Sequence, residues 1–135
     1  MQTSRLNETV HFVTQGRYAD HIQRWLDLFP REQIHFVDSA HLVAKPWEVM
    51  AELEQFLGLE HNVTREDFIF VEEKGFFCPR NRETGEAECL GSMKGLVHPE
   101  IPDFLKEQLI DYYEPVNEKF YEMAGKDFNW TRRDK

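Results

Sequence analysis

The chain predicts an α/β fold with a parallel sheet and flanking helices, and three observations predict it. An amphipathic helical pattern occupies residues 16–30, a β-prone apolar run follows at residues 33–38, and a second such run lies at residues 68–71 beyond a Pro-led helical pattern. Helix, strand, helix and strand in that order are the grammar of a parallel α/β sheet. Two strands are too few for a complete doubly wound sheet. The expectation is therefore that residues 1–135 are one part of a single larger domain.

Each element has a local reason. In the first helix Tyr18, Ile22, Trp25, Leu26 and Phe29 recur at helical spacing, Asp20, Gln23, Arg24 and Asp27 fill the other face, and Pro30 ends it. Ile34, Phe36 and Val37 give the first strand its apolar side chains. Pro46 suits the first turn of the second helix, whose expected core face is Val49, Met50, Leu53, Phe56 and Leu57 and whose stop is Gly58. Thr64 with Asp67 three residues on reads as a cap before the strand FIFV. Residues 74–99 then read as a long loop bracketing both cysteines. Pro102 and Pro115 are expected to open a third and a fourth helix, the last ended by Gly125.

Composition narrows the function classes. A net charge of -9 argues against nucleic acid as a partner, because phosphate binding needs clustered cations. Lys74, Arg80, Arg82 and Lys94 nevertheless fall within 21 residues, a local basic patch against the global sign. No apolar run reaches the length of a membrane span, and the amino terminus lacks a signal-peptide layout. Three of the five Asn residues, Asn7, Asn62 and Asn129, open an N-x-[ST] sequon. Chance would place a Ser or Thr there roughly one time in fourteen, so the set points to a luminal chain whose targeting segment is missing.

The chemistry-bearing residues are few. Cys78 and Cys89 are separated by ten polar, turn-forming residues. They read as a disulfide, as two free thiols, or as half a metal site. No second Cys pair and no H-x3-H spacing completes a zinc set, so no metal site is assigned, and the sequons favour the disulfide. Gly91 and Gly95 flank Ser92 and Lys94, a loop in which backbone N–H groups and an ammonium can approach an anion. No complete nucleotide cradle and no nucleophile-elbow spacing occur. Tyr18 and Trp25 read as core rather than as a sugar platform, and His21 as a helix-boundary residue satisfied by hydrogen bonds.

Six segments, in order and spacing, carry a resemblance. They are G-x-Y-A-x-H-I-x-x-W-L-x-x-F-P at residues 16–30, the strand ending Val37-Asp38, and the Pro-led helix ending FLGL. KGFFC at 74–78, CLGSMKG-x-x-HPEI at 89–101 and F-Y-x-M-x-G-x-D-F-x-W at 120–130 complete the set. Over about residues 10–130 the chain resembles the carboxy-terminal half of the heparan sulfate glucosamine 3-O-sulfotransferases. The resemblance implies a partial sulfotransferase (P-loop-like) α/β fold with its amino-terminal half missing. It also implies a Golgi enzyme, luminal and held to the membrane only through a missing amino-terminal anchor. Such an enzyme moves a sulfuryl group from 3'-phosphoadenylyl sulfate (PAPS) to the 3-hydroxyl of glucosamine in heparan sulfate.

Carried over by position, Lys94, Gly95, Leu96, Val97 and His98 fall in the family's carboxy-terminal PAPS-binding segment. Cys78 and Cys89 match its disulfide, and Val10 and His11 align with positions that touch the sugar. The family's donor loop and its catalytic carboxylate lie upstream of these residues, so no catalytic residue is assigned here, and the chain alone is expected to be inactive. Two departures stand out. The family has Lys-Gly-Arg where this chain has Lys94-Gly95-Leu96, and Glu72-Glu73 precede KGFFC, a poor match to a sulfated polyanion. They leave a rival reading, a catalytically inactive luminal module of the same fold that binds a glycan or a partner.

Overall fold

The computed structural model describes residues 5–89 and 100–130. Its helices are α1 (His11–Gln15), α2 (Tyr18–Leu26), α3 (Ser39–Ala44), α4 (Pro46–Leu57) and α5 (Asp103–Ala124), and its strands are β1 (Phe68–Val71) and β2 (Phe76–Pro79). The chain divides into two compact units, Met1–Ile34 with Pro99–Lys135, and His35–His98. Among the described residues no helix is long and apolar enough to cross a membrane.

In the first unit α2 packs on α5. Ala19 is fully buried, and its small side chain lets the helices approach around Val116, Phe120, Tyr121 and Ala124. Tyr18, Phe120, Tyr121, Phe128 and Trp130 form one aromatic cluster, in which Phe120 stacks on Trp130 at 5.6 Å between ring centroids. Phe120, Tyr121 and Phe128 are its buried rings, and burying a large apolar side chain contributes about 1.5–3 kcal/mol. Gly125 closes α5 with a left-handed φ of 65°, and the Arg31 guanidinium donates to the Ala124 carbonyl, one of the acceptors that a helix end leaves open.

The expected third and fourth helices are one. Pro115 lies inside α5, where it removes one N–H and costs about 3 kcal/mol. The buried residues that follow it, Val116, Asn117, Phe120 and Tyr121, hold the helix together across the proline.

In the second unit Asp38 caps α3, its Oδ1 accepting from the Ala40 amide at 2.9 Å. Pro46 opens α4 and Gly58 ends it at φ 68°, as the sequence predicts. Thr64 and Asp67 form a reciprocal capping box. β1 and β2 then pair antiparallel, with Ile69 opposite Cys78 and Phe70 opposite Phe77. Trp47 of α4 meets Phe77 edge-on at 5.0 Å.

Three expectations change here. Residues 33–38 form no strand: Arg31–Gln33 make a 3-10 turn, and an apolar pattern alone supplies no ladder partner. Part of the expected 74–99 loop is strand β2. Gly75, at φ 71°, turns the chain back so that the nearest pairing partner for β1 is the run that follows it, and the sheet among the described residues is antiparallel. Lastly, the expected core face of α4 is only partly buried. Val49 is covered, Leu57 is 57% exposed, and a carboxylate, Glu54, is buried instead.

Candidate functional site

Val10 and His11 lie side by side at the start of α1, in the first unit. Both are exposed, Val10 at 38%, and Phe12 beside them is 81% exposed. The segment is tied to α5 on both flanks. Before it, the Leu6 amide donates to Gln108 Oε1 at 2.7 Å; after it, the Tyr113 hydroxyl donates to the Val13 carbonyl at 2.7 Å. Burial, reinforced by neighbouring Tyr112 and Tyr18, raises the Tyr113 pKa and keeps the phenol a donor. A shallow cleft between this segment and α5 is lined by Arg5, Leu6, Glu8, Gln108, Asp111 and Tyr112.

Within the second unit Cys78 and Cys89 are joined as a disulfide with Cα atoms 5.0 Å apart, and Cys78 is 1% exposed. The enclosed loop is ordered by its own polar groups. Asn81 Oδ1 accepts from the amides of Glu83 and Thr84 at 2.8 and 3.0 Å, Gly85 turns at φ 75°, and Arg80 bridges to Ala87. The disulfide therefore fixes the chain five residues before Lys94. Lys94, Gly95, Leu96, Val97 and His98 themselves lie outside the described residues.

Of the basic patch expected from sequence, Arg80 and Arg82 meet local partners, and Lys94 lies outside the described residues. Arg80 donates to the carbonyls of Glu66 and Gly85, and Arg82 sits 3.4 Å from Asp67. Arg65 lies over the rings of Trp47 and Phe77, 4.7 and 4.5 Å from their centroids. The Thr64 amide, aided by Arg82, holds the Asp67 carboxyl below its ordinary range.

The three sequon asparagines are all exposed. Asn7 Oδ1 accepts from the Thr9 hydroxyl at 2.7 Å, Asn62 Nδ2 donates to the Glu60 carbonyl at 3.1 Å, and Asn129 is held at φ 55°. His21 meets the Thr14 carbonyl at 3.3 Å, the bonded boundary residue expected. Neither Tyr18 nor Trp25 is buried as expected: Tyr18, 47% exposed, touches the rings of Phe120 and Trp130 from the rim of the cluster, and Trp25, 59% exposed, stacks on Phe29.

Sequence reasoning missed two features. Glu54 is buried, accepting from His61 Nδ1 at 2.8 Å and from the Asn62 and Val63 amides at 3.1 Å each. A signal existed: Glu54 follows Met50 by four residues and so falls on the apolar stripe of α4. Tyr113 was missed for want of any signal, since its partner lies 100 residues away.

The chain matches the sulfotransferase domain family over residues 4–124. It belongs to that family. Among curated relatives of this sulfotransferase domain, it is 42% identical over 116 residues to heparan sulfate glucosamine 3-O-sulfotransferase 3B1 of Mus musculus, covering 85% of this chain and 30% of the relative. It is 40% identical over 119 residues to heparan sulfate glucosamine 3-O-sulfotransferase 6 of Homo sapiens, covering 87% of this chain and 35% of that relative. The mouse heparan sulfate glucosamine 3-O-sulfotransferase 5 is 33% identical over 95% of this chain and 37% of the relative. The chain thus spans about a third of the length of the curated relatives it matches.

Proposed function

We propose that these residues form the carboxy-terminal part of a heparan sulfate glucosamine 3-O-sulfotransferase domain, a PAPS-dependent carbohydrate sulfotransferase. The observation that carries the reading is identity of 40–42% to enzymes of that name across 85–87% of the chain. In this reading Val10 and His11 face the heparan sulfate chain, where the exposed rings of His11 and Phe12 suit the apolar faces of sugars. Lys94, Gly95, Leu96, Val97 and His98 face the sulfuryl donor, and the Cys78–Cys89 bond holds the loop that leads to them. The donor supplies the activated sulfuryl group. Lys94 offsets charge on its phosphates, and the backbone around Gly95 comes close enough to donate N–H groups.

No residue of the chain is assigned as the base that takes the proton from the glucosamine 3-hydroxyl. The sequons and the disulfide support a luminal, Golgi setting. The finer fold, a parallel sheet with flanking helices, belongs to the same proposal. Family membership supports it.

Leu96 favours the second reading, an inactive module of the same fold, because it replaces a guanidinium that would contact phosphate. One experiment separates the two. The product of the complete coding region is incubated with labelled PAPS and heparan sulfate, and the digested product is mapped for sulfate position. Label at the glucosamine 3-hydroxyl is expected. Label elsewhere contradicts the 3-O assignment, and no label favours the inactive module.

A further inference from the structure

The geometry of the first unit points to Tyr113 as a positioning residue that holds Val10 and His11 in place from α5, through the Val13 carbonyl. The inference rests on the reading that Val10 and His11 face the sugar. α1 has only five residues and buries none of them. A helix so short does not persist on its own, so its position must come from tertiary contacts. Two hydrogen bonds to α5 bracket the proposed sugar-facing pair, with Leu6 on Gln108 before it and Val13 on Tyr113 after it.

Gly16 gives an independent sign that the fit around Tyr113 is close. A Cβ built at Gly16 would lie 2.7 Å from Tyr113 Cε1 and Oη and 2.8 Å from Cζ, closer than side-chain atoms approach one another. The chain leaves α1 through Gly16, whose φ of -71° is open to any residue. Glycine is thus required here by the Tyr113 ring and not by the backbone conformation. Tyr112 packs edge-on against Tyr113 at 5.0 Å and itself carries the Arg17 guanidinium 5.6 Å from its ring centroid, so the Tyr113 ring is bounded by Tyr112 as well as by Gly16. The Tyr113 hydroxyl is therefore the end of a rigid strut that sets where α1 sits on α5.

Tyr113→Phe keeps the ring beside Gly16 and removes only the donor, which makes it the informative substitution. Two readouts are taken on the full chain, amide hydrogen exchange of residues 11–17 and affinity for a size-defined heparan sulfate oligosaccharide. Exchange in α1 is expected to quicken about threefold to tenfold, the range for loss of one hydrogen bond, and affinity to fall by a similar factor far below the melting temperature. A purely structural role would lower the melting temperature and leave both readouts unchanged, and that result overturns the inference. His11→Ala is run beside it to test the sugar-facing reading itself. If His11→Ala weakens binding and Tyr113→Phe does not, the sugar contact stands and the positioning role falls. If His11→Ala has no effect, the sugar reading falls, and unchanged α1 exchange in Tyr113→Phe would then overturn the strut as well. Gly16→Ala, which pushes the ring away without removing the hydroxyl, is expected to reproduce the faster exchange.

Discussion

Glu54 shows how one side chain can organise a turn. Its two oxygens gather His61 and the amides of Asn62 and Val63, closing the chain that leaves α4. Burial opposes its ionisation, but the His61 hydrogen bond and the two amides outweigh that and lower its pKa below the ordinary 4.5. A lowered carboxyl pKa stabilises the fold above the unfolded value, and that stability is lost as pH falls through the folded one. Glu54→Gln should therefore melt below the parent chain at neutral pH, and the gap should close as pH falls beneath 4.5, which a series of thermal melts would show. Equal melting at neutral pH would contradict the account. At the proposed donor segment, Lys94→Ala should weaken binding of the desulfated donor, and Leu96→Arg should tighten it by up to about tenfold, the effect of one charge-assisted hydrogen bond. Calorimetry on the product of the complete coding region checks both; no change in either would remove this loop from the donor site.

The hairpin and α5 show what a sequence makes legible at the scale of an element. The cap at Thr64, the strand FIFV, the Pro-led α4 and the stop at Gly58 were readable because each has a local cause within four residues. Strand β2 was not read, because its apolar FFC sits between a charged turn and a proline and its pairing depends on Gly75 reversing the chain. The break expected at Pro115 was a local rule overridden by packing, since the buried residues beyond the proline outweigh one lost hydrogen bond. The disulfide pairing was within reach of the sequence, and its contribution can be measured. Closing an 11-residue separation should contribute about 3 kcal/mol, so urea unfolding with and without reductant should differ by that amount. Two free thiols in non-reduced peptide mass spectra would sink the pairing.

At the scale of the molecule, the sequence carried the family but not the architecture of the sheet. The KGFFC and 120–130 blocks fall in described structure, one at the disulfide hairpin and one at the aromatic cluster that ends α5. Contacts such as Tyr113 with Val13 join residues 100 apart, and no local pattern encodes them. The central proposal is that these 135 residues bind and position within a sulfotransferase domain and do not perform transfer by themselves. Counting label moved from PAPS to heparan sulfate, by the purified chain and by the product of the complete coding region, tests it most directly. The account predicts background counts for the chain, equal to a heat-killed control, and 3-O-labelled glucosamine from the complete product. Turnover by the 135-residue chain alone, or none by either protein, would contradict it.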